Sequence, residues 1–499
     1  MPAIPVSISF DRIPTSVRVP GAYMEINNSQ ASSGLPVQWY KLLIFGQMLP
    51  TGTAQPLVPV QITGGKAQAD ALFGQGSMLS AMVTASRKAN NYTETWAMGV
   101  QDNAAGAPAS GSVTYANTAT AAGTVPLYVA GVPVQVAGVL GQTAAQTATA
   151  MAAAINANGD LPVTAIVDAV TAGKVNITAR HKGVDAGAID LRSIYYSGDA
   201  LPAGLTATIA PMTGGTANPL PTPIIAALGD DWYHIFALPW SDQATTAAWS
   251  VELDRRYGPL LQEDAHAYTA VSGSVGTLAS FGHALNSPHL TTPGGCGSSY
   301  PTPNYLRTAV WSAVAAYNLA IDPARPLQTL TLPGVMAPAV ADRFTWTDRN
   351  TLLQDGIGTE KVGTDGTVMI ERAVTTYEVN ASGLPDTSYL DTETMALIAY
   401  IRWSWRTRMS QKFPRHKLAD DGTSYPAGQA IVTPKIIAGE QVAWFIELQD
   451  AGLVEDLEQF KADQKVARNA SDRSRVDTLI PAHLVSGLRV LAGQLRFLL

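Results

Sequence analysis

From residue 224 to 335 the chain switches repeatedly between two apolar periods, and a segment can satisfy only one at a time. "YHIFALPW" is an apolar run of strand length, and "TTAAWSVELDRRYGPLL" follows it at helical spacing. "HAYTAVS" and "GTLASFGHAL" repeat the pair, and after a Gly/Ser/Pro loop "NYLRTAVWSAVAAYNLA" is a strongly apolar helix. Strand and helix in turn predict βαβ units, because a parallel neighbour needs a crossover and that crossover covers a sheet face. The expected class is therefore an α/β core. At 499 residues the chain exceeds one ordinary core, so roughly two to four domains are expected, multi-domain α+β overall.

The flanks of this region define the remaining organisation. "WYKLLIF", 39–45, predicts a buried strand, residues 68–89 a helix weakened by Gly74 and Gly76, and "ETWAMGV", 94–100, another strand. Gly/Pro/Ala/Thr-rich linkers at 101–112 and 211–223 bracket a stretch with strand signals at 124–137, 162–168, 174–180 and 189–196 around one Ala-rich helix, 142–157. That stretch reads as a β-rich inserted domain. Further on, helices are expected over 345–354, 391–411 and 453–474, with a long strand in "GTVMIERAVTTYEV". The expected division is an extended arm over 1–35, core over 36–100 and 216–345, an outer insertion over 101–215, a C-terminal domain over 346–487 and a terminal strand over 488–499.

The two ends are unusual. Ile4, Val6, Ile8 and Phe10 alternate with other residues, and Val17 and Val19 do so before Pro20-Gly21, then Ala22, Met24 and Ile26. Prolines among them lack an amide donor, so these strands belong at an edge or pair outside the domain. At the other end, Leu484, Leu488, Leu491, Leu495 and Leu498 have helical spacing. A strand with a phase switch at Gly493 also fits, carrying Leu488, Val490 and Ala492 and then Leu495, Phe497 and Leu499; the strand is the expectation adopted.

Composition narrows the function. Charged residues make up 14%, against a usual share of roughly 25%, which suits a surface largely covered by partners. A net charge of −7 argues against a whole-molecule binder of nucleic acid. Cys296 is the single cysteine, so no intramolecular disulfide is possible, which fits a reducing compartment. Pro5, Ser7, Ser9 and Asp11 interrupt any leader-like apolar run, and no stretch of transmembrane length is unbroken. A soluble, cytoplasmically made protein without membrane insertion is expected.

Catalytic motifs are nearly absent. "SGSVG", 272–276, misses the nucleophile-elbow pattern because Ser272 occupies the first glycine position, and a turn entering a helix is the plainer reading. "GGCGSS", 294–299, near His283 and His289, reads as a flexible loop with a stray thiol, and the His spacing does not suit zinc. Asp230-Asp231 and Asp420-Asp421 sit in turn contexts. No phosphate-cradling loop follows a strand. No catalytic residue, cofactor or metal is expected.

Two basic clusters remain. Arg402, Arg406, Arg408, Lys412, Arg415 and Lys417 with Trp403 and Trp405 look like a nucleic-acid surface on composition, but the negative net charge favours a helix whose basic face meets acidic patches, internal or on a neighbour. On the expected helix 453–474, Lys461, Lys465 and Arg468 would share one face, either plainly solvated or a dock for an acidic partner.

Several segments resemble one known family. "VPGAYMEIN" near the N-terminus, "LFGQGSMLSAMV", 72–83, and "RNTLLQDGIGTEKVGTDGTVMIERAVTTY", 349–377, resemble tail sheath proteins of contractile-tailed phages, in their Mu-like branch. The "LRVLAGQLRFLL" ending matches in style, and the likeness spans nearly the whole chain with 101–215 as a variable insertion. The resemblance implies a structural virion protein that polymerises as stacked rings around a tail tube and contracts to drive it through the host envelope. It implies that both terminal arms add strands to a neighbour's sheet, on Val17, Val19, Pro20, Gly21, Tyr23, Met24 and Ile26 and on Leu488, Val490, Leu495, Phe497 and Leu499. Lys461, Lys465 and Arg468 would then be candidates to face the tube. Expected partners are further copies of the chain, the tail tube protein, and baseplate and terminator proteins, with no direct contact to nucleic acid. The alternatives are a non-contractile adhesive virion protein, or an α/β hydrolase using Ser274 or Cys296.

Overall fold

The computed structural model describes residues 16–24, 34–297, 300–422, 425–426 and 429–498. Contacts divide the chain into two units, one from the described residues of Met1–Val37 and Tyr400–Ser486, the other from Gln38–Ala399 and Gly487–Leu499.

The larger unit is built around a nine-stranded sheet and carries two smaller ones. Its first strands are β1 (Lys41–Gln47), β2 (Pro59–Ile62) and β3 (Glu94–Val100), with α1 (Lys66–Phe73) and α2 (Met78–Ala89) between the last two. The single helix expected over 68–89 is two, because Gly74 and Gly76 adopt φ of 86° and 78°. A Cβ at Gly76 would lie 2.5 Å from the Gly159 carbonyl oxygen, so the break also lets the insertion approach. Ser77 restarts the chain as N-cap, its hydroxyl accepting from Ser80 N–H.

The insertion follows with β4 (Pro108–Ala116), β5 (Gly123–Val129), β6 (Val132–Gly138), α3 (Ala144–Ala157), β7 (Val163–Val167), β8 (Lys174–Lys182), β9 (Leu191–Arg192) and β10 (Thr206–Thr213). Two sheets, ordered β10-β4-β8-β7 and β6-β5-β9, enclose a core that includes Val113, Leu127, Met151, Ile155 and Ile177. The residues expected to be linker, 101–112 and 211–223, already contribute β4 and β10. Asp102 ties the insertion to the main sheet: its carboxylate accepts from Gln47 Nε2 (2.7 Å), His181 Nδ1 (2.8 Å) and Lys182 N–H (2.9 Å). Burial alone would raise this carboxyl, but the hydrogen bonds and charge from His181, Lys182 and Gln47 together outweigh it and hold it below the usual range.

The chain returns with α4 (Pro221–Ala227), β11 (Ile235–Ala237), α5 (Gln243–Tyr257), β12 (His266–Tyr268), β13 (Val271–Gly273), α6 (Val275–Leu285), β14 (Leu290–Cys296), α7 (Asn304–Ile321), α8 (Trp346–Gln354), β15 (Ile357–Val362) and β16 (Val368–Arg372). The nine-stranded sheet runs β16-β15-β14-β12-β11-β1-β3-β2, with β13 beside β14, and is parallel except for antiparallel β2 and β16 at its ends. Both faces are covered: Leu42, Ile44, Trp311 and Ala315 lie in one cluster, and Leu43, Phe45, Phe236 and Trp249 in another.

β14 corrects the first half of the loop expected over 294–299, whose residues 298–299 lie outside the described residues. "LTTPGGC" is buried along its whole length. Gly294 and Gly295 are required there because a Cβ would meet Ile357 Cγ2 at 2.6 Å and Arg307 Nη1 at 2.5 Å. Glycines that read as flexibility are instead close packing.

α9 (Thr392–Lys412) leads into the smaller unit, which holds β17 (Lys417–Leu418), β18 (Ile431–Val432), α10 (Pro434–Asp450), β19 (Val454–Glu455), α11 (Leu457–Asp463), β20 (Lys465–Arg468), β21 (Val476–Leu479) and β22 (His483–Leu484). Trp444 is buried beside Trp405 and donates from Nε1 to Ser404 Oγ (3.1 Å). The helix expected over 453–474 does not form. α11 stops at Gln464, which is extended, and Asn469 turns the chain by accepting the N–H groups of Ser471 and Asp472. The result is the hairpin β20–β21.

Candidate functional site

In an open parallel sheet, ligands usually bind beyond the carboxyl ends of the strands. Here the ends of β13, β14 and β15 are occupied by a buried ion pair. Arg307 on α7 donates from Nη2 to Glu360 Oε1 (2.9 Å), and Trp311 Nε1 and Tyr300 Oη donate to the same carboxylate at 2.8 and 2.6 Å. The Arg307 guanidinium also lies 4.2 Å from the Tyr300 ring centroid. Ser272 belongs to this network, donating to Asn304 Oδ1 (2.7 Å) and accepting from Arg307 Nη1 (3.4 Å). Cys296 is buried, and burial pushes its thiol up by more than nearby Arg307 lowers it, the reverse of what activates a nucleophilic thiol.

The other candidates for chemistry are equally occupied. Ser274 is the N-cap of α6, accepting from Thr277 N–H (3.2 Å). His283 contacts Glu378 Oε2 (2.5 Å) and Asp355 Oδ1 (3.4 Å). His289 is buried against the Tyr257 ring. Among the described residues no group of three or more His, Cys, Asp or Glu side chains is disposed to hold a metal ion, and no helix is long and apolar enough to cross a membrane.

The basic clusters resolve differently from one another. Arg408 donates to Glu440 through Nε and to Glu447 through Nη1 (2.7 Å), and Lys412 reaches Glu440 at 2.6 Å. For Arg408 and Lys412 the acidic counterpart is thus α10 of the same unit. Lys461, Lys465 and Arg468 do not share a helical face, since only Lys461 is helical. Lys461 pairs with Glu458 (2.7 Å), Lys465 is exposed on β20, and Arg468 braces the hairpin by donating to Asp420 Oδ1 (2.8 Å).

The terminal segments are the least satisfied parts of the chain. Val17, Val19, Tyr23 and Met24 are exposed, residues 16–24 form no strand, and Tyr23 Oη donates to the nearby Val19 carbonyl (3.1 Å). Ile26, the alternating residues 4–10 and Leu499 lie outside the described residues. Residues 485–498 are neither helix nor strand within this chain. Val490, Leu491, Leu495, Phe497 and Leu498 are all more than three-quarters exposed, Leu498 completely.

Two features escape a reading of the sequence. One is the hairpin β20–β21, whose strands pair with no third strand among the described residues. The other is the root of the C-terminal segment, where Arg489 Nη2 donates to Glu393 Oε2 (2.8 Å) and lies 3.4 Å from Asp391 Oδ1. An arginine at the start of an apolar tail was the signal for the second. For the first, the Asn-Ala-Ser-Asp turn was the signal.

The chain matches the model of the phage tail sheath protein central domain over residues 214–376 and that of the phage tail sheath C-terminal domain over 385–497. The Mu-like prophage FluMu tail sheath protein of Haemophilus influenzae is 40% identical over 494 residues, which is 99% of this chain and 100% of that protein. Solved structures are more distant. The sheath tail protein of Desulfitobacterium hafniense is 12% identical with a TM-score of 0.47, covering 93% of this chain and 100% of that one. The contracted helical sheath of the anti-feeding prophage is 10% identical with a TM-score of 0.46, covering 97% and 99%. With occupied strand ends, exposed apolar termini and a full-length relative, the chain belongs to the phage tail sheath protein family, in its Mu-like branch.

Proposed function

We propose that this tail sheath protein is a non-enzymatic subunit that polymerises around the tail tube and contracts to drive the tube through the host envelope. Assembly takes place in the host cytoplasm, with the tube, baseplate and terminator proteins as partners and without direct contact to nucleic acid or insertion into a membrane. Subunits are linked by exchange of strands: residues 17–26 and the part of 488–499 beyond Arg489 of one copy pair with the β20–β21 hairpin of its neighbours. The observation that carries this reading is the pairing of an unsatisfied donor with an unsatisfied acceptor. A row of exposed apolar residues ends the chain, and the two-stranded hairpin, marginal on its own, has edges available.

Magnitudes favour a linkage that is strong only collectively. Burying each of Val490, Leu491, Leu495, Phe497 and Leu498 contributes roughly 1.5–3 kcal/mol. Ordering the backbone costs roughly 1–2 kcal/mol per residue, so one arm is near balance and the polymer depends on both arms engaging at once. Such a link can rearrange during contraction without the subunit unfolding. A head-to-tail contact of this kind that does not close a ring generates a helical filament.

Lys461 and Lys465 are proposed to face the tube, through exposed pairs worth only about 0–1 kcal/mol each that release on firing. Negative-stain microscopy tests the whole. Striated tubes are expected from the intact chain, and a folded monomer from a chain lacking residues 1–26. Polymers of normal length from that deletion would remove the N-terminal arm from the linkage. Charge reversal at Lys461 and Lys465 should impair co-assembly with the tube and leave sheath-only polymers unchanged.

A further inference from the structure

We infer that Arg489 is the anchor that sets where the C-terminal linking segment leaves the subunit; this rests on the strand-exchange reading above. Four contacts converge on the segment's root. Arg489 Nη2 donates to Glu393 Oε2 at 2.8 Å and approaches Asp391 Oδ1 at 3.4 Å. Asp391 is held in turn by Arg372, which donates from Nε (2.9 Å) and Nη2 (3.0 Å). Gln328 Nε2 donates to the Leu488 carbonyl (3.3 Å). Gly487 lies so close to Pro326 that a Cβ would fall 2.6 Å from its Cγ.

The Glu393 carboxylate is itself buried, and its other oxygen accepts from Leu327 N–H (2.7 Å). It therefore has a fixed position and needs a counter-charge, which Arg489 supplies. One residue further on, contact with the unit ends: from Val490 onward the described residues are exposed. The free segment thus begins at residue 490 and, fully extended, reaches about 30 Å from its root. Glu393 is the second residue of α9, so tension on the arm enters the fold at the start of that helix. A fixed root confines the arm to a small volume and raises its effective concentration at a neighbour's hairpin, whereas a root freed by several residues dilutes it.

Trypsin reads this directly, because Arg489 must leave its carboxylates to enter the protease. The Arg496–Phe497 bond in the same tail serves as internal control. On the unassembled full-length chain, cleavage after Arg496 should be at least about tenfold faster than after Arg489, since cleavage follows the population of the open form. Glu393→Gln, which keeps an acceptor for Leu327 N–H, should bring the two rates together and raise the concentration needed for polymerisation several-fold. Gly487→Ala displaces the root through Pro326 without altering charge and should do the same, which guards against an effect of Glu393→Gln on folding. Equal rates at the two bonds in the unmodified chain, or unchanged rates in both variants, would overturn the anchor. A chain ending at Arg489 separates the two ideas: normal polymers from it refute strand exchange by this arm, whereas no polymers together with unchanged proteolysis in both variants refute the anchor alone.

Discussion

Histidine 266 makes a prediction that can be worked through from its surroundings. It opens β12 and is buried, with Nε2 at 2.8 Å from the Thr291 hydroxyl and Nδ1 without a hydrogen-bond partner. Protonation would put a charge and a second N–H into a site with no acceptor for it. Burial, reinforced by His289, accordingly lowers its pKa to about 3, against 6.5 for the free side chain. Above about pH 7.5 the imidazole is neutral in both folded and unfolded chains and adds no pH dependence. Below that, the unfolded chain takes up a proton that the fold refuses. Stability then falls by about 1.4 kcal/mol per pH unit until the folded imidazole itself titrates, which amounts to about 2 kcal/mol at pH 5.

His234 and His289, lowered to about 3 and about 4 by burial, act in the same direction. Asp185 and Glu393, raised by burial, act in the opposite one, so the total curve is a sum. The difference between the natural chain and His266→Gln isolates the one group, since the amide can still meet Thr291 but cannot charge. Urea unfolding of the unassembled chain, followed by the fluorescence of buried Trp240, Trp249 and Trp311, should give a difference that changes by about 1.6 kcal/mol between pH 6.5 and pH 5. A difference that stays constant over that range would show that His266 is protonated in the fold and that the reasoning from burial fails.

Two further substitutions test the packing of the larger unit. Gly282→Ala in α6 should destabilise by about 1–3 kcal/mol, because the new Cβ would lie 2.0 Å from the Asp355 carbonyl oxygen; thermal unfolding would contradict this if it showed the gain of about 1 kcal/mol normal for Gly→Ala within a helix. Glu360→Gln leaves Arg307 buried without a counter-charge and should cost about 3–5 kcal/mol, while Arg307→Met with Glu360→Leu should recover most of that loss, as read by the same denaturation assay.

The elements most legible in the sequence were those whose pattern is local. "ETWAMGV" is β3 to the residue, and the apolar helix read over 304–320 is α7. Ser274 was readable as a turn entering a helix because capping is decided within four residues. The errors share a different cause. "GGCGSS" looked like a loop because glycine's local meaning is freedom, yet Gly294 and Gly295 answer to Ile357 and Arg307, which approach from elsewhere in the chain. Lys461, Lys465 and Arg468 have perfect helical spacing, but spacing cannot show that Asn469 captures two amides and turns the chain back on itself. Arg408, by contrast, meets acidic side chains as its basic helix face led one to expect, and only the fold shows that they are Glu440 and Glu447 of α10.

By itself the sequence determined the α/β class, the inserted β-rich stretch, the absence of recognisable catalytic spacing and the family resemblance, because each is written in period, composition or short-range order. Only the tertiary structure decided that Ser272 and Cys296 flank a buried ion pair, with Cys296, Tyr300 and Glu360 also lining a cavity of about 220 Å³, and that the C-terminal segment is held at Arg489 and free beyond it. Those outcomes depend on which distant group arrives at a given side chain: Glu360 is 53 residues from Arg307, and Glu393 is 96 from Arg489. Separation of that kind leaves no trace in a local pattern, and contact alone determines whether a charge is satisfied, a glycine is crowded or an apolar row waits for a neighbour.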